Sequence, residues 1–269
     1  MDVVLKKCRH LILVLAITPL LCFCGSNHYD PNTESGRRAL IDDANTYLSS
    51  GQCQLAYNSI SQLYGTTNQT EEVQLIMSST YACFGGFNML TVASNLIGAN
   101  NYFTSLAKSE KSTVGDNHIS SLYSAADVLT NSTTALSGAN RSASVNNYLV
   151  FIEAGIVGAI LSTYGKGDSS GTKTQAISYS VPRAANDLST VDACALAASL
   201  SIIEDSFNYS SLSDSSTASL VSSLNSACVA AGLASCTVIN KDRTKCTGLP
   251  ADLPSSQASG VVGAINADW

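Results

Sequence analysis

Apolar residues recur every three or four positions from Leu40 onward, and that period predicts helices. Leu40, Ile41, Ala44, Tyr47 and Leu48 line one face of a first helix, which Gly51 ends. Cys53, Ala56, Tyr57, Ile60 and Leu63 mark a second, closing near Gly65. Glu71 and Glu72 suit the start of a third, because carboxylates favour the positive end of the helix dipole. Its apolar face is Val73, Ile76, Met77 and Tyr81; Gly85 and Gly86 end it, and 87–97 starts a fourth. Residues 116–136 repeat the pattern through Ile119, Leu122, Ala125, Leu129 and Leu136.

The stretch 148–164 is apolar on all sides apart from Glu153. It is shorter than the roughly 20 residues a bilayer span needs, so it predicts a buried central helix. Gly155 and Gly158 would let a neighbour approach closely, and Glu153 would need water or a partner, because a lone buried carboxylate is costly. Residues 166–185 are rich in Gly, Ser and Thr and read as a linker or loop. Helical spacing returns over 187–207 and 215–231. The expected fold class is all-α, built from stacked antiparallel helical hairpins. A helical-repeat region spans 37–165, and a C-terminal hairpin with a disulfide loop and tail spans 186–269.

Lys6, Lys7 and Arg9 precede an apolar run, 11–23, of about 13 residues. Cys24-Gly25-Ser26-Asn27 follows. This segment resembles a bacterial lipoprotein signal, with Leu21 at the expected position and Phe23 departing from the small residue preferred before the cysteine. The resemblance implies removal of 1–23, lipid on Cys24, and a tether over 24–36. Plain secretion and a retained anchor are the rival readings. Lipidation at Cys22 would leave Pro19 and Leu21 poorly placed.

The chain has nine cysteines. Apart from the proposed lipid carrier, the mature part would hold Cys53, Cys83, Cys194, Cys228, Cys236 and Cys246, an even set that suits disulfides in an oxidising compartment. No C-x-x-C pair occurs and His is scarce, which argues against zinc. Antiparallel packing of the C-terminal hairpin favours Cys194–Cys228, leaving Cys236–Cys246; the rival is Cys194–Cys246 with Cys228–Cys236.

Tyr47 and Tyr81 are 34 residues apart, as are Gly51 and Gly85. Leu40, Ala44, Tyr47, Gly51, Ala56 and Ile60 fall at the large, small, aromatic, glycine, small and bulky positions of the tetratricopeptide repeat, so residues 37–104 resemble that family. The second unit keeps Tyr81 and Gly85 and departs at Gln74 and Leu90. The repeat arrangement would place Cys53 beside Cys83. A bond there closes a loop of about 30 residues, worth about 3–4 kcal/mol by chain entropy.

Charge narrows the function. The formal net charge is −6, and loss of 1–23 would make it more negative, so nucleic acid is not an expected partner. Gly167-Asp168-Ser169-Ser170-Gly171 matches the G-x-S-x-G nucleophile elbow, yet no strand pattern precedes it and no His follows. His118 reads as a surface residue near a helix start, and His28 falls in the tether. The acidic pairs at Asp42, Glu71 and Glu204 read as solvated faces or helix starts. Sequons at Asn68, Asn131, Asn140 and Asn208 are no more than this composition produces by chance. Lys241, Arg243 and Lys245 form a basic loop on an acidic protein, a candidate contact for an anionic group. Trp269, the single Trp, has either the protein's own core or a partner to dock on. The expectation is a non-enzymatic, exported, membrane-anchored envelope lipoprotein that binds a protein or peptide, without cofactor or metal. The alternatives are an unanchored adhesin or effector, and an enzyme with an unrecognised acidic site.

Overall fold

The computed structural model describes residues 29–110, 112, 116–131, 135–180, 182–243 and 255–269. The signal, Cys24, Lys245 and Cys246 lie outside the described residues. Those described form ten α-helices and two short 3-10 turns, with no strand among them.

Helix α1 (Glu34–Ser49) and α2 (Cys53–Ile60) form the first hairpin, turning at Gly51, whose φ of +71° suits a residue without a Cβ. Helix α3 (Glu71–Phe84) packs against both. Leu40, Ala44, Ala56 and Ile60 are buried between these helices, while Tyr47 and Tyr81 are half-buried. Cys53 and Cys83 are bonded, with Cα atoms 5.6 Å apart. Beyond Gly85 and Gly86 the chain does not fold straight back. Helix α4 (Met89–Leu96) lies on α5 (Tyr102–Ser109) and on the central helix, and α6 (His118–Thr130) becomes the long antiparallel neighbour of α3. Ser78 Oγ donates to the Ala125 carbonyl at 2.6 Å, which fixes that register.

Helix α7 (Ala143–Gly165) is the axis of the molecule, touching α4, α5, α6 and α8 (Thr190–Asn208). It is long and apolar enough to cross a membrane by composition, but 83% of its apolar window is buried inside the protein. Its glycines serve packing. A Cβ on Gly158 would lie 2.5 Å from the Leu106 carbonyl of α5, and one on Gly155 would lie 2.6 Å from the Phe87 ring. Helices α9 (Ser215–Ala230) and α10 (Ser255–Asp268) pack on α8 and on each other. One apolar core runs through both halves of the chain. Side-chain caps at Thr33, Thr70, Asn101 and Ser189 satisfy backbone N–H groups at helix starts.

The C-terminal cysteines correct the favoured pairing. Cys228 is bonded to Cys236, not to Cys194. Gly232, at φ +84°, reverses the chain after α9, and the 3-10 turn Cys236–Val238 returns beneath the last turns of that helix. There the Cys236 N–H donates to Asn225 Oδ1 at 3.1 Å. The segment then meets α8 at Ser201, whose hydroxyl donates to the Ile239 carbonyl at 3.0 Å. Cys194 lies about 10 Å further along α8 at 1.5 Å per residue. It is also disulfide-bonded.

The 165–189 segment is held by carboxylates. Asp187 accepts from the Ser178 hydroxyl at 2.5 Å, the Ala184 N–H at 2.8 Å, and both the N–H and hydroxyl of Ser180. Those bonds pull its carboxyl down to about 2. Trp269 docks on the protein itself: its Nε1 donates to the Gly171 carbonyl at 2.8 Å, and its ring covers Gly165.

Candidate functional site

Among the described residues, two larger groups of charged side chains contrast, one mostly buried and one open. The sealed cluster is built on α7. Glu153 is fully buried, and both its oxygens take the Arg243 Nη2 donor. Ser199 Oγ of α8 donates to the same carboxylate at 2.7 Å. Arg243 Nη1 reaches Asp127 of α6 at 3.1 Å, and the guanidinium lies 5.9 Å from the Tyr123 ring centroid. Burial alone would lower the Arg243 pKa, but Glu153 and Asp127 outweigh it and raise it, so the charge is kept. Tyr123 and Tyr164 both donate to Asp192, which caps α8 together with Ser189. Burial and the Asp192 charge hold both phenols above their ordinary values, as donors. Lys241 pairs with Asp205 at 2.8 Å, and Arg141 meets the same carboxylate at 3.4 Å. Lys241 and Arg243, read from the sequence as an anionic contact, therefore point inward onto acidic side chains.

The open site is a cleft of about 150 Å³ where α1 and α3 begin. Ile41, Leu63 and Val73 make its apolar floor. Arg37, Arg38 and Glu34 of α1 face Asn68, Thr70 and Glu72 across the rim. The walls are fixed by local chemistry. Thr33 and Thr70 cap the two helices, and Asn68 Nδ2 donates to the Pro31 carbonyl at 3.1 Å. Arg37 Nη1 donates to the Asn32 carbonyl at 3.1 Å. Arg38 comes only to 3.7 Å from Glu72, with side chains 67% and 52% exposed. The sequence missed this site; the adjacent Arg37-Arg38 pair before an amphipathic face was its available signal.

A third feature is apolar. Tyr57, Tyr81 and Phe84 form a ring cluster beside the Cys53–Cys83 bond, with centroids 6.1–6.5 Å apart. Phe84 of that cluster is exposed, as are Met89, Leu90 and Ile97 in and just after α4, Leu90 and Ile97 being more than 70% exposed.

His118 is not the surface residue expected. Its ring lies between the Gly85 carbonyl, on Nδ1, and Glu110 at 2.8 Å from Nε2; both side chains are nearly buried. Burial would lower the His118 pKa, but Glu110 and the Gly85 carbonyl raise it overall. Ser169 lies exposed in a loop in which Asp168 accepts from Ser170 and Thr172, with no strand before it. Among the described residues no three His, Cys, Asp or Glu side chains are grouped to hold a metal ion.

No known protein family, curated protein or solved structure matches this chain.

Proposed function

We propose that this protein is a non-enzymatic bacterial envelope lipoprotein, anchored through lipid on Cys24, whose helical body binds a protein partner. One observation carries the binding role. Leu90 and Ile97, with Phe84 and Met89, stay in solvent around α4, while nearly all other large apolar side chains on the neighbouring helices are covered. Large apolar side chains left exposed around one helix support an interaction surface there. The tetratricopeptide-like spacing of the first hairpin and the lipoprotein-like N-terminus support the same reading, and bonded cysteines fit an oxidising compartment. Glu153 gives no support to an acidic catalytic site, because it is sealed and both its oxygens are engaged.

The test is intact mass of the native protein with and without reduction. A diacyl or triacyl mass on Cys24, with six protons gained on reduction, is expected. An unmodified N-terminus would replace this reading with that of a secreted effector.

A further inference from the structure

We propose that His118 and Glu110 form a proton-operated clasp, which holds the turn between α3 and α4 while the imidazole is charged and loosens it as pH rises. The clasp is a property of the fold and stands independently of the partner reading above.

Three helix ends meet at the ring. The end of α3 supplies the Gly85 carbonyl, against Nδ1. The residue after α5, Glu110, places Oε2 2.8 Å from Nε2. His118 itself opens α6. The two side chains are 11% and 3% exposed, so water has little room to replace either contact. Both ring nitrogens therefore face acceptors. A neutral imidazole carries one N–H, and only the imidazolium can donate on both sides. Without the second proton, a nitrogen lone pair meets an acceptor and Glu110 is left buried without its counter-charge, which is costly.

The surroundings favour the cation. The ring faces the carbonyl end of α3, which attracts positive charge, although it also opens α6, which does not. Asp116 adds a carboxylate that accepts from the His118 N–H at 2.9 Å and from Ser112 Oγ at 3.0 Å. Helix α7 meets the pair with uncharged groups: Ser162 Oγ accepts from the Ser112 N–H at 3.0 Å, and Gly158 lies behind the Glu110 Cβ. Burial works against the charged ring, but Glu110, Gly85 and Asp116 together raise it above its ordinary 6.5. The clasp is therefore complete below pH 6.5 and is lost as pH rises through the higher folded value. Burial also raises the Glu110 carboxyl, which acts in the same direction.

Gly85 and Gly86 have no side chains with which to fix the turn, and Gly86 sits at φ +73°. Its other anchors are backbone bonds from the Gly86 and Phe87 N–H groups to α3, and the Phe87 ring against Gly155. Among these anchors the clasp is the one that titrates.

The experiment uses full-length protein in detergent, between about pH 5.5 and about pH 9. NMR follows the His118 ring, assigned by its absence in His118→Gln. Hydrogen exchange, corrected for the intrinsic rate, follows residues 85–97, with α8 as the reference. The ring should titrate above 6.5, and protection of 85–97 should fall with the same midpoint while α8 is unchanged. The fall should be about 10-fold for each unit by which the ring exceeds 6.5. Glu110→Gln should lower the midpoint, because burial then acts without the carboxylate. A ring midpoint at or below 6.5, protection of 85–97 that ignores pH, or an unmoved midpoint in Glu110→Gln would each overturn the proposal. So would the same pH dependence of exchange in folded His118→Gln.

Discussion

Arginine meets glutamate twice among the described residues, and the two meetings differ in everything except chemistry. At Glu153 the carboxylate is out of water, Arg243 closes on both its oxygens, and Ser199 and Asp127 complete the set. At Glu72 the carboxylate is half in water, and Arg38 stands 3.7 Å away. The first arrangement engages both Glu153 oxygens and ties three helices together. The second is a solvated surface pair and contributes little to folding. Burial, rather than residue type, separates a structural ion pair from a solvated one.

Breaking the buried pair should have the largest effect. Arg243→Ala leaves Glu153 buried and unpaired, and is expected to cost roughly 3–5 kcal/mol in urea unfolding. The combined change Glu153→Leu with Arg243→Met should recover most of that loss, because the desolvation cost disappears with the charges. Next comes the staple beside the apolar patch. Replacing Cys53 and Cys83 by Ser is expected to cost about 3 kcal/mol by the same measurement. Non-reducing peptide mapping should also link Cys194 to Cys246, the one cysteine left after Cys228–Cys236 and Cys53–Cys83 once Cys24 carries lipid.

Asp187 sharpens the contrast, being a carboxylate held by hydrogen bonds from Ser178, Ser180 and Ala184. Asp187→Asn is expected to cost about 1–3 kcal/mol. Its folded pKa, about 2, lies below its ordinary 3.8. Its contribution is therefore complete above pH 3.8 and is lost as pH falls through 2. Acid titration of stability should lose slope in that window in the variant. The smallest effect belongs to the open pair: Arg38→Gln should change stability by less than about 1 kcal/mol.

Much of this was legible from periodicity. The apolar spacing from Leu40 to Tyr81 located α1 to α3, and the unbroken run around Glu153 located the central helix. Two helices were hidden. In α5 only Phe103, Leu106 and Ala107 are buried, too few to mark a period after the polar 98–101 stretch. Helix α10 is mostly Ser, Ala and Gly and presents Val261, Val262 and Ile265 to the core. The sequence required a partner for Glu153 but could not name one 90 residues away. His118 looked exposed because its neighbours are polar, yet Glu110 and the Gly85 carbonyl enclose it. The cleft was invisible for a related reason: its lining comes from α1, the start of α3 and the segment after α2, and only the fold brings them together.

The most direct test of this division is paired urea unfolding of Arg243→Ala and Arg38→Gln. The account predicts a loss of roughly 3–5 kcal/mol for the first and less than about 1 kcal/mol for the second. Equal losses, or a stable Arg243→Ala protein, would contradict it.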